Sequence, residues 1–238
     1  MMKRTQVFII ICLFGCLLNV NKKVYATETF GLVTEEMQAD EIALFLNNVN
    51  ISVFSIEPEK KPIKCFDVNQ NGMIAIGTAN DNNKMVCIYS DTGNFQYGYK
   101  FKSAGSFDIE LNDDILKLYF LKSDVSVSIN ATGEIQNVSR ICNIMENDAY
   151  LNRYVKVTNK NVGEYRYVLK NNIGILGLFL SEYSKLYQVD RLNNEKLIYE
   201  VNPVHFLYIL IMFLGIIVFV SITALVMINE FEKLKKVK

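Results

Sequence analysis

The sequence predicts a mostly β domain of four-stranded meander repeats, held outside the cytoplasm by one C-terminal transmembrane helix. Three observations predict it. Residues 204–228 are apolar and contain no Asp, Glu, Lys or Arg. At the other end, Lys3-Arg4 precede a second apolar run, residues 7–18. Between them, short runs rich in Val, Ile, Phe and Tyr alternate with turns bearing Asn, Asp and Gly.

The N-terminal run has the charge, apolar and small-residue order of an export signal, with Val24-Tyr25-Ala26 at the cleavage position. Residues 1–26 are therefore expected to be a signal peptide. Lys22-Lys23 also fit an uncleaved anchor, and Leu13-Phe14-Gly15-Cys16 a lipidation site, although Phe14 is bulky for one. All three place residues 27–204 outside. Residues 206–228, 23 in number, are long enough to cross a hydrocarbon core of roughly 30 Å as a helix. Lys233, Lys235, Lys236 and Lys238 follow, as the positive-inside bias demands of a cytoplasmic tail, residues 229–238. The expected location is the plasma membrane, single-pass.

Residues 27–64 form an N-terminal segment and connector. Residues 42–56 mix helix and strand signals, and Ile51, Val53 and Ile56 favour strand. Pro58 and Pro62 bound a charged link where neither helix nor central strand continues. From Cys65 to residue 203 the chain repeats. Cys65-Phe66-Asp67-Val68 is followed 41 residues later by Ser106-Phe107-Asp108-Ile109. Asp91-Thr92-Gly93-Asn94-Phe95 is followed 40 residues later by Ala131-Thr132-Gly133-Glu134-Ile135. Strands are predicted near 65–68, 73–78, 84–90 and 94–101, then near 107–111, 115–122, 124–130 and 134–141. Val125, Val127 and Ile129 alternate with Ser126, Ser128 and Asn130, the period of a half-buried strand. A third unit follows an irregular stretch, 142–161, with strands expected near 165–170, 173–180, 185–191 and 196–201.

Four strands at this period form the blade signature of a β-propeller. The stretch from Phe66 to Phe101 resembles blades of the WD-repeat and NHL-like class, over residues 65–141 and more loosely over 165–201, without a Trp-Asp or Gly-His pair. The resemblance implies a propeller-like domain over residues 65–203 that binds through loops on one face. Three units are fewer than usual for a closed ring. A small closed array, an open stack, a ring shared by two chains and a β-sandwich all remain open.

Composition narrows function. Residues 27–204 carry 17 Lys and Arg against 23 Asp and Glu, a net charge of −6. That balance argues against nucleic acid and against anionic lipid headgroups. The lone histidine, His205, sits at the expected membrane edge, so a Ser-His-Asp triad or a His-based zinc site is excluded from the domain. Cys65, Cys87 and Cys142 are an odd set. Cys65 and Cys87, two strands apart at about 4.8 Å each, lie beyond disulfide reach.

Three motifs touch on chemistry. Asp67, Asn69, Asn71 and Gly72 follow the first half of a calcium loop, but Thr78 stands where a bidentate Glu belongs. A hairpin turn accounts for them better, and the expectation is no metal and no cofactor. Asp91-Thr92-Gly93 is the aspartic-protease triplet, yet the repeat has Ala131 in place of Asp91, so the turn and not the carboxylate recurs. Asp113-Asp114 is a carboxylate pair in a turn, where Asp is common anyway. The expectation is a non-enzymatic binding or scaffold module with a protein or glycan ligand, alone, as a homo-oligomer or with a membrane-complex partner. The alternatives are a carboxylate-based surface hydrolase and an accessory subunit of such a complex.

Overall fold

A computed structural model describes residues 32–171 and 183–202, together with 211–212, 214–216 and 218–223. The chain divides into two units, Met1–Leu32 and Val33–Lys238. The first lies outside the described residues apart from Leu32, and with it the signal-peptide expectation. The second is mostly β, in three antiparallel sheets.

The first sheet is the meander β3 (Ile63–Val68), β4 (Ile74–Asn80), β5 (Asn83–Tyr89) and β6 (Phe95–Lys102). The second is β7 (Phe107–Asn112), β8 (Ile115–Phe120), β9 (Val125–Asn130) and β10 (Ile135–Ile141). These eight strands are the eight expected from the sequence. The third is β11 (Asn159–Val162), β12 (Tyr165–Lys170), β13 (Lys185–Val189) and β14 (Glu195–Glu200). Here the strand order differs from expectation. β12 pairs directly with β13, and the additional strand is β11, inside the stretch read as irregular. Residues 172–182, which include the strand expected at 173–180, lie outside the described residues.

Residues ahead of the repeats supply edge strands. β1 (Thr34–Glu36) pairs with β10, and β2 (Ser52–Phe54) with β6. Between them runs helix α1 (Ala39–Val49). Asp40 and Glu41 favour its N-terminus through the helix dipole. Ile42, Phe45, Leu46 and Val49, spaced to share one helical face, pack on the core. Asn50 ends the helix in the left-handed region, φ 46°, donating its N–H to the Leu46 carbonyl at 2.9 Å.

The first sheet is the middle layer. Ile74 and Ile76 face one apolar cluster shared with the third sheet, while Ala75 faces another shared with the second. Coverage on both faces explains why β4 is buried from Ile74 through Thr78. Cys65 and Cys87 enter opposite clusters as free thiols, so the sheet itself separates them. The second sheet buries Val125, Val127 and Ile129 in the shared core. Among the described residues no buried apolar cluster joins the second and third sheets, and no closure of the three into a ring is found. The link between these sheets, residues 142–158, holds helix α2 (Met145–Tyr150) and a π turn, Leu151–Val155.

Among the described residues no helix is long and apolar enough to cross a membrane. Residues 211–212, 214–216 and 218–223 are helical with exposed side chains; the rest of the expected span, and the tail 229–238, lie outside the described residues.

Candidate functional site

The first strands of the three sheets, β3, β7 and β11, converge on Asp67. Its side chain is 3% exposed. One oxygen accepts the Leu111 N–H of β7 at 2.7 Å, and the other receives the Lys160 ammonium of β11. Burial pushes the Asp67 carboxyl up, while the Lys160 charge and the Leu111 N–H hold it back. One carboxylate thus ties the three sheets together.

Beside this junction a cleft of about 570 Å³ opens at one end of the strands. Lys64, Cys65, Ala79 and Lys84 line it from the first sheet, and Phe107, Asp108 and Leu121 from the second. Val157, Leu169 and Tyr183 line it from the third sheet and its connector. Gly77 makes the wall close-packed. A Cβ there would stand 2.4 Å from the Cys65 sulfur and 3.1 Å from the Phe107 ring, so only glycine fits.

Asp108 is the distinctive group of the cleft. It is 7% exposed, and among the described residues nothing is hydrogen-bonded to its carboxyl. Burial raises it to about 6, against the Lys156 charge. Near neutral pH it can therefore offer an acceptor or, in its acid form, a donor to a ligand. Cys65 is no nucleophile, because burial and the Asp108 and Asp67 charges push its thiol well up. Cys87 is pushed up to about 12, chiefly by burial. Lys84 donates to the Asp81 carbonyl, and its ammonium is lowered by partial burial and then by Lys64.

The residues singled out by the sequence lie mostly elsewhere. Asn69 accepts the N–H groups of Asn71 and Met73 at 3.0 and 2.9 Å and donates to the Asp113 carbonyl at 2.9 Å. With Asp67 turned to Lys160, the structure does not gather Asp67, Asn69 and Asn71 around a common point. Among the described residues no group of three His, Cys, Asp or Glu is disposed to hold a metal. Asp91 is exposed in the turn before Gly93, and Gly93 and Gly133 share φ 88°. Asp113 and Asp114 form an exposed hairpin turn, with Asp113 at φ 49°.

Sequence reasoning missed Asp108 and Lys160. The alignment of Ser106-Phe107-Asp108-Ile109 with Cys65-Phe66-Asp67-Val68 did put Asp108 at the position of Asp67, a buried carboxylate in the opening strand of each unit. Lys160 had no signal, because its partner lies 93 residues away. No family model, no curated protein and no solved structure matches the chain.

Proposed function

We propose that the chain is a membrane-anchored, extracytoplasmic protein of propeller-like β repeats that acts by binding, with its ligand seated in the cleft at the sheet junction. The observation that carries this is the convergence of all three sheets on one cleft whose carboxyl, Asp108, has no hydrogen-bond partner among the described residues. Its volume lies in the range of ligand pockets, roughly 300–1,000 Å³. The combination of apolar wall, carboxyl and lysine rim suits recognition; Cys65 and Asp67, the other reactive groups nearby, are buried or engaged. A ligand carried by a partner protein is the accessory-subunit form of the same reading.

A photo-crosslinking residue placed at Ala104, on the cleft rim, tests this in the native membrane of the full chain. The same probe at Asp91, in the turns at the other end of the strands, is the control. The reading expects a discrete adduct from position 104 and none from 91. Equal labelling from both, or none from 104, would count against it.

A further inference from the structure

The two ends of the meanders differ in charge. Turns at the end away from the cleft carry Asp91, Asp113, Asp114, Glu134, Glu164 and Asp190, with Arg191 among them and Arg166 and Lys196 in the adjoining strands. The cleft end carries Lys64, Lys84, Lys102, Lys122 and Lys156. The carboxylates at that end include Asp81 and Asp124 in tight turns, Glu146 and Asp148 on α2, buried Asp108, Glu35, which is paired with Arg140, and Glu200, which is paired with Lys185 at 2.7 Å. Successive turns of an antiparallel meander point to opposite ends, so the acidic turns gather at the far end while the cleft end holds cations and carboxylates in near balance. The net charge of −6 hides this difference between the ends.

The chain also leaves the domain at the cleft end. The Val201 N–H donates to the Ser184 carbonyl at 3.0 Å, next to Tyr183 of the cleft wall. The apolar residues 204–228 begin three positions later. Three lysines, Lys64, Lys84 and Lys156, therefore line a cleft at the end of the strands where β14 finishes. Phe107, Leu121, Val157 and Leu169 give that cleft an apolar wall.

We propose that the mouth of the cleft seats the anionic headgroup of a membrane phospholipid, held by Lys64, Lys84 and Lys156, with the apolar wall taking the carbons next to it. The proposal rests on anchoring of residues 204–228 in the bilayer. It reverses, for this end of the domain, the expectation drawn from net charge. Basic groups near an anionic bilayer gain about fivefold in local affinity each and lose it with salt.

The test uses the full chain reconstituted into vesicles of phosphatidylcholine alone or with one part in three of phosphatidylglycerol (about 0.1 M salt). Acylation of each lysine amine is followed by mass spectrometry. Lys64, Lys84 and Lys156 are expected to react at least about threefold more slowly in the anionic vesicles, while Lys196, at the far end of β14, is unchanged. Lys84→Glu with Lys156→Glu should remove the protection of Lys64. Equal reactivity in both vesicles, in a chain that resists alkaline carbonate extraction, overturns the headgroup seat and leaves anchoring intact. Extraction of the chain by carbonate overturns the anchoring and the proposal with it. Protection by inorganic phosphate alone in phosphatidylcholine vesicles assigns the lysines to a soluble anion and also overturns it.

Discussion

Asp108 and Asp67 are both buried carboxyls on first strands, yet they face opposite situations. Asp67 has a cation and an N–H; among the described residues Asp108 has the Lys156 charge and no hydrogen bond. A carboxyl whose pKa is raised on folding binds its proton more tightly in the native state. Its favourable contribution is complete below the unfolded value near 4, and is lost as pH rises through about 6. Asp108→Asn, which mimics the acid form, should therefore raise stability at pH 8 by about 2 kcal/mol and change little at pH 4. Urea unfolding of the full chain in detergent at both pH values measures this; a pH-independent effect would contradict it. For the other carboxyl, Asp67→Ala leaves the Leu111 N–H unpaired and Lys160 without its partner, and should cost about 3 kcal/mol. Lys160→Met leaves a buried carboxyl without its cation. The folded pKa of Asp67 then rises further, so the loss should be larger at pH 8 than at pH 5. A loss that shrinks with rising pH would show that the pair is not the tie between the sheets.

At the scale of the element, one turn type is used four times. The polar residues Asn69, Ser90, Asn130 and Asp190 each accept, through their side chains, the N–H groups two and four positions on. Each turn closes through a residue of positive φ, Gly72, Gly93, Gly133 or Asn193. Gly93→Ala should cost about 1–2 kcal/mol from its φ of 88° alone. Gly133→Ala should cost more, because a Cβ there would meet the Val53 methyl at 2.4 Å. Asp91→Ala, which touches neither the turn bonds nor the core, should stay within roughly 0.5 kcal/mol of the parent. Midpoints of urea unfolding rank the three, and a large loss for Asp91→Ala would contradict the turn account. These turns were legible because their chemistry is local: Asn or Asp, then Gly, at fixed spacing. The strands of the first two units were legible for the same reason. β11 was not, since Asn159-Lys160-Asn161-Val162 has no apolar alternation and is a strand only through its pairing with β12. β1 likewise consists of Thr34-Glu35-Glu36 and exists only through the edge of β10.

At the scale of the whole molecule, the sheets are held by two apolar cores, with the first sheet between them. Each large apolar side chain buried there contributes about 1.5–3 kcal/mol, so together these cores outweigh the single Asp67–Lys160 tie. That tie selects how the first strands meet. The repeat was visible in sequence, but the relation between its units was not, because it depends on contacts between residues tens of positions apart. The cleft was invisible for the same reason: its wall is assembled from loops of three sheets, and its buried carboxyl is defined by what surrounds it. The acidity of the far turns was equally hidden, since composition sums over ends that only the meander distinguishes. In intact protoplasts, added protease should remove residues 27–204 and spare a tag after Lys238; digestion of that tag would invert the proposed orientation. The binding role itself is tested most directly by native mass spectrometry of the full chain released from its own membrane, alongside Ala104→Trp, whose ring fills the cleft mouth away from both cores. The account predicts a discrete added mass on the parent chain that Ala104→Trp lacks, with the same unfolding midpoint for both. A bare parent chain, or the same added mass on both proteins, would contradict it.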